Sequence, residues 1–185
     1  GPSNVSTSFE TGVANIMQAV LAALAEADLG EVDLSHSVAH LGLAGADLPA
    51  IQEKTAVMFP FGQTRVSGDR QTTVAGVLGG RDGFVIALGT GTIIARQQAG
   101  QITTVGGWGF QLSDQASGAW LGRHLMMRVL NAEERVEPAS DLTRDIAQEL
   151  GGVQSIFDWS NTARPADYAA FAPRIFAAAE GGDAT

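Results

Sequence analysis

Phe84-Val85-Ile86-Ala87-Leu88-Gly89-Thr90-Gly91-Thr92-Ile93-Ile94 carries more information than any other stretch of this chain. An apolar strand runs into a Gly-Thr-Gly-Thr turn and out into a second apolar strand. A glycine turn between strands lets backbone N–H groups approach a ligand, because no Cβ stands in the way. Threonine hydroxyls beside them add donors suited to phosphate oxygens. The same tetrapeptide can equally be an ordinary hairpin. Weight against the plain hairpin comes from downstream, where a second glycine cluster, Gly106-Gly107-Trp108-Gly109, is followed by Asp114.

The 185 residues are enough for one large domain or two small ones. At 45% hydrophobic the chain can build a core, and a chain of this length buries roughly 70% of its unfolded surface. Glycine, at 23 residues, is frequent enough to predict many turns or close backbone approaches. A net charge of −9 argues against nucleic acid or an anionic membrane as the main partner, since both need a basic face. It leaves room for a local amide-lined phosphate pocket. With 0 cysteines there is no disulfide framework, Cys-ligated zinc or iron–sulfur cluster in this chain. No apolar run reaches the roughly 18 residues of a membrane span, and no signal peptide is visible. A cytoplasmic protein is the simplest expectation. The chain begins without Met and stops just after a helical pattern, at Gly181-Gly182-Asp183-Ala184-Thr185, so a piece of a longer protein is expected.

Val13, Ile16, Met17, Val20, Leu21 and Leu24 follow helical spacing and predict an amphipathic helix over 10–27, with Ser8 as its cap. His36 to Ala44 reads as a strand, Pro49 to Met58 as a helix with Pro in its first turn. A short strand, Thr64 to Ser67, precedes a helix from Gln71 to Leu78 that Gly79-Gly80 closes. The two strands around the Gly-Thr turn follow, and a third at Ile102 to Val105. Helices are expected at Ala116 to Leu130, at Asp141 to Leu150 with Ser140 as cap, and at Pro165 to Ala179. Alternation of helix and strand in the first part predicts α/β with some parallel pairing. The glycine-rich stretch from Gly79 to Gly83 is the expected boundary between domains at 1–79 and 80–185, each holding one wall of a cleft.

Asp69 follows a strand and opens a helix. That is the carboxyl edge where open α/β sheets place their ligands, and a carboxylate there can accept a proton from a hydroxyl nucleophile. It could also simply cap the helix. Trp108, set between glycines, either covers the apolar face of a sugar or fills the core. Asp114 could hold sugar hydroxyls or cap the helix that follows. His36 and His40 have the i, i+4 spacing that suits a metal on a helix, but they fall in a strand-like segment with no third ligand nearby. No metal site is expected there. His124 reads as surface or satisfied core, and Glu133-Glu134, Asp141, Asp145 and Glu149 as solvated faces.

Taken together, Gly89-Thr90-Gly91-Thr92, Gly106-Gly107-Trp108-Gly109, Asp114 and Asp69 resemble the BadF/BadG/BcrA/BcrD ATPase family, and within it the glucosamine and N-acetylglucosamine kinases. Gly1-Pro2-Ser3-Asn4 resembles that family's glycine-rich segment ending in a sugar-binding Asn. The resemblance covers nearly all of the chain, and Gly106 to Gly122 is its most specific part. It implies the two-domain, ribonuclease H-like fold of actin, Hsp70 and sugar kinases, here as a fragment. It implies phosphorylation of a hexose or amino sugar by ATP with Mg²⁺, without nucleic acid or membrane as partner and with a homodimer as a possible assembly. Asp69 would be the catalytic base. Gly89, Thr90, Gly91 and Thr92 would bind ATP phosphates. Asn4, Gly107, Trp108, Gly109 and Asp114 would contact the sugar.

Two departures from the family pattern bear on the acceptor. Asp114-Gln115-Ala116-Ser117 stands where the family usually has Asp-Glu-Gly-Ser, and an amide cannot pair with a substrate ammonium as a carboxylate does. Ile93 follows Thr92 where N-acetylglucosamine kinases often carry Asn. The family's first phosphate loop is expected upstream of Gly1 and its adenosine-binding end beyond Thr185. Other readings are an activator ATPase of the same family, which needs cluster cysteines this chain lacks, a non-catalytic sugar sensor on the same fold, and an α/β domain with no nucleotide function. The last leaves two glycine clusters unexplained.

Overall fold

A computed structural model describes residues 4–6, 8–29 and 33–183. The Gly1 to Ser3 part of the glycine-rich resemblance lies outside them. Contacts divide the chain into two compact units. The first runs to Gly83 and takes in Gln97–Ile102; the second comprises Phe84–Arg96 and the part from Thr103 onward.

The first unit opens on α1 (Phe9–Glu26). Ser8 occupies its N-cap position, but its side chain makes no cap hydrogen bond; only its carbonyl serves, accepting from Gly12 N at 2.8 Å. A 3-10 turn at Leu34–His36 takes His36 out of the expected strand, so β1 spans Val38–Leu43. There follow α2 (Pro49–Ala56), β2 (Gln63–Gly68) and α3 (Asp69–Leu78). β1 and β2 pair in parallel, with Leu43 opposite Gly68 at their carboxyl ends. Parallel neighbours need a crossover, and α2 supplies it. Val5, Leu43, Ala46 and Val66 form the buried core, and Phe9 and Ile16 of α1 pack on it. Gly79, in the left-handed region at φ 55°, ends α3 as expected of a glycine past a helix terminus.

β3 (Gly83–Leu88), β4 (Thr92–Gln98) and β5 (Gln101–Val105) form a three-stranded sheet in sequence order. The Gly-Thr turn joins the first pair. Ala99 and Gly100, both at positive φ, join the second in the two-residue manner that suits strand twist.

Among the described residues, five helices complete the second unit: α4 (Gly118–Glu133), α5 (Asp141–Leu150), α6 (Val153–Ser160), α7 (Pro165–Ala169) and α8 (Ala172–Glu180). α4 starts later than periodicity predicts because Ala116 sits at φ 64°, outside the helical region. Ser117 caps it instead, accepting from Trp120 N at 3.1 Å. Ser140 caps α5 through a reciprocal bond pair with Thr143. The single helix expected from Pro165 to Ala179 is two. Pro173 lacks the N–H a continuous helix needs and opens α8 in its first turn. α6 carries no strong start signal in the sequence beyond Gly151-Gly152. Leu125, Val129, Ile146, Ile156 and Tyr168 pack these helices into one core.

Candidate active site

The Gly-Thr turn is fastened from below. Its carbonyls face the start of α4: Gly118 N donates to Gly89 O at 2.8 Å and Ala119 N to Thr90 O at 3.3 Å. With the carbonyls engaged, the opposite groups are left. Among the described residues, nothing accepts the N–H of Thr90 or Gly91, and nothing bonds the exposed Thr90 hydroxyl. Adjacent unpaired amides suit an anion. Thr92 differs from Thr90. It is only 7% exposed, and its hydroxyl donates to the carbonyl of Gln115 at 2.8 Å.

The second glycine cluster is a backbone requirement. Gly106, Gly107 and Gly109 stand at φ 69°, 67° and 91°, where a side chain is strained. The loop closes as Ser113 N donates to Gly109 O at 2.8 Å. It presents Trp108 at 75% exposure, so of the two sequence-based alternatives for that ring, core filling is removed. Asp114 is nearly buried, at 9% exposure, and holds a φ of 63°. It does not cap α4, because Ser117 does. Its Oδ2 lies over Gly91, 2.9 Å from where a Cβ on that glycine would sit. Gly91 therefore owes its identity to Asp114 as well as to any ligand. Among the described residues no donor reaches the Asp114 carboxylate. Gln115, the departure from the family pattern, is exposed.

In the first unit, Asp69 is the first residue of α3, directly after the carboxyl end of β2. Gly68 holds the N-cap position, and no side-chain cap bond exists. The capping alternative thus fails, although a carboxylate in a first turn still interacts favourably with the helix dipole. Asp69 is half-buried, and among the described residues nothing is paired with its carboxylate. Asn4 folds onto the loop after β1. Its Oδ1 accepts from Ser6 N at 3.0 Å and Ser6 Oγ at 2.8 Å, Val5 N bonds Ala44 O at 3.1 Å, and a Cβ on Gly45 would come within 2.5 Å of that Oδ1.

The same loop carries a residue the sequence reading passed over. Asp47 is exposed, and its Oδ1 would lie 2.7 Å from a Cβ on Gly68. Asn4, Asp47 and Asp69 thus share the carboxyl edge of the β1–β2 pair. The signal for Asp47 was the same as for Asp69, an acid just past a strand.

The histidines do other work. His40 Nε2 lies 2.9 Å from Ser67 Oγ. His36 is an exposed partner of Asp33 at 3.2 Å. His124 stacks on Trp120 with ring centroids 3.8 Å apart and its Nδ1 is 2.8 Å from the Trp120 carbonyl oxygen. Among the described residues there is no cluster of three or more His, Cys, Asp or Glu side chains that could hold a metal ion, and no helix is long and apolar enough to cross a membrane.

The chain belongs to the BadF/BadG/BcrA/BcrD ATPase family, whose sequence model matches residues 1–185. Among relatives, it is 30% identical to the glucosamine kinase GspK of Vibrio cholerae over 185 residues, which cover 99% of this chain and 63% of that protein. It is 28% identical to the N-acetylmuramic acid/N-acetylglucosamine kinase of Clostridium acetobutylicum over 81% of this chain and 50% of that one. A crystal structure of a candidate N-acetylglucosamine kinase from Chromobacterium violaceum superposes with a TM-score of 0.85 at 33% identity, covering 97% of this chain and 64% of that one. The mixed α/β fold is therefore that of these kinases, and the chain spans half to two thirds of the length of each.

Proposed function

We propose that the complete protein transfers the terminal phosphoryl group of ATP to a hydroxyl of an amino sugar, glucosamine or N-acetylglucosamine. The observation that carries this reading is the joining of two chemistries in one short span. Unpaired amides at Thr90 and Gly91 suit phosphate oxygens, and a nearly buried acceptor carboxylate, Asp114, lies directly against Gly91. The kinase names of the relatives point the same way.

In this reading Asp69 accepts the proton of the attacking sugar hydroxyl as its oxygen bonds to the γ-phosphorus and the bond to the ADP oxygen breaks. Little covalent work falls to the protein; positioning and charge neutralisation do most of it. The Thr90 and Gly91 amides and the Thr90 hydroxyl donate to phosphate oxygens. Gly89 supplies the bend. Thr92, whose O–H is committed to Gln115, supports the turn. Asp114 accepts hydrogen bonds from sugar hydroxyls, Trp108 lays its exposed ring on the apolar face of the sugar, and Asn4, Gly107 and Gly109 complete the acceptor contacts. No cluster of acids among the described residues would cage a metal, so Mg²⁺ would be held chiefly by the substrate phosphates and water. When bound it would neutralise charge on the transferring group. A cytoplasmic location follows from the need for ATP.

The test is a phosphoryl-transfer screen of the complete protein over glucosamine, N-acetylglucosamine and glucose. An amino sugar should be the best acceptor. ATP hydrolysis without transfer to any of the three would remove the kinase reading.

A further inference from the structure

We propose that Thr92 is a positioning residue that locks the Gly-Thr turn to the Asp114 loop, so that sugar and nucleotide bind cooperatively. This rests on the kinase reading above. Four ties join the two segments, all within the second unit. Thr92 Oγ1 donates to Gln115 O at 2.8 Å. Gly118 N and Ala119 N donate to the carbonyls of Gly89 and Thr90. Asp114 Oδ2 presses on Gly91 at the place a Cβ would need. Between the ties, Asp114 and Ala116 hold strained φ values of 63° and 64°, conformations that persist only where the surroundings over-determine them.

Two of these ties are main-chain hydrogen bonds. Thr92 supplies the one side-chain hydroxyl, and at 7% exposure its bond is shielded from replacement by water. The groups assigned to the acceptor (Asp114) and to the phosphates (Thr90, Gly91) therefore cannot shift independently. A sugar that draws on Asp114 also sets the place of the amides beside it, and the nucleotide meets donors already in position. By linkage the nucleotide must tighten the sugar by the same factor. The hydroxyl is what matters at this position: Ser can supply it and Val cannot.

The experiment is calorimetry on the complete protein with Mg²⁺ and the β,γ-imido analogue of ATP, with and without a saturating amount of whichever amino sugar is phosphorylated. For the unmodified protein the sugar should tighten the analogue by a factor in the range of about 5–150. Thr92→Ser should keep most of that factor. Thr92→Val should lower it by about threefold or more, the loss of one tie among four. A Thr92→Val protein that melts lower yet keeps the full factor overturns the inference, as does a factor of one in the unmodified protein; either result leaves the kinase reading standing. If Thr92→Val does not fold, Gly91→Ala strains the same joint through Asp114, and an unchanged factor there overturns it equally. A protein that phosphorylates neither sugar fails the kinase reading, and the inference falls with it.

Discussion

Asp114 is the residue where stability and proposed function pull apart. It is an acid at positive φ, nearly buried, with its carboxylate against a glycine. Left-handed backbone costs an ordinary L-residue roughly 1–2 kcal/mol, though Asp bears it better than most. A residue kept at such a position for folding alone would be glycine. Asp114→Gly should therefore raise the stability of the protein by up to about 1 kcal/mol, seen as a higher Tm, while weakening sugar binding. Asp114→Ala should raise the sugar KM at a cost of roughly 1.5–3 kcal/mol, the range for a charge-assisted hydrogen bond, and spare ATP. A drop in Tm for Asp114→Gly with sugar KM unchanged would make the carboxylate a structural group. Gly91→Ala should behave differently: the added Cβ meets Oδ2 at 2.9 Å, so sugar and nucleotide binding should weaken together. The Gly-Thr turn, the Trp-Gly loop and the two acids were legible because each is a local pattern. The bond from Thr92 to the Gln115 carbonyl was not, because nothing in the spacing of those residues says that the Asp114 loop folds back under the turn.

Among the elements, two helical glycines of identical chemistry should respond in opposite directions. Gly76 lies inside α3, and a Cβ there would meet nothing within 4 Å. Gly76→Ala should stabilise by roughly 0.5–1 kcal/mol through helix propensity alone. Gly122 is buried in α4, where a Cβ would fall 2.0 Å from the carbonyl oxygen of Tyr168. Backbone cannot give way as a side-chain tip can. Gly122→Ala should push α7 off α4 and cost about 1–3 kcal/mol or more. Thermal or urea unfolding of both variants checks the pair, and equal shifts would contradict the packing described. Most elements were readable from periodicity and caps, Ser140 and Gly79 above all. The break before α8 was missed because apolar spacing continues through it and only Pro173 signals the stop. The late start of α4 was missed because the φ of Ala116 is imposed by the loop before it rather than by its own preference.

For the whole molecule, the sequence model, the relatives and the superposed crystal structure agree on the family and the fold. We propose that Asp69, the acid at the carboxyl edge of the β1–β2 pair, is the base of a phosphoryl transfer to a sugar hydroxyl in the complete protein. Asp69 suits that role because its carboxylate has no partner among the described residues and does not cap the helix it opens. The most direct measurement is steady-state transfer from ATP to an amino sugar by the complete protein and its Asp69→Asn variant, alongside ATP affinity by calorimetry. With Asp69 as the base, kcat should fall by roughly 10²–10⁴ with ATP affinity little changed. Activity within a few-fold of the unmodified protein would contradict it.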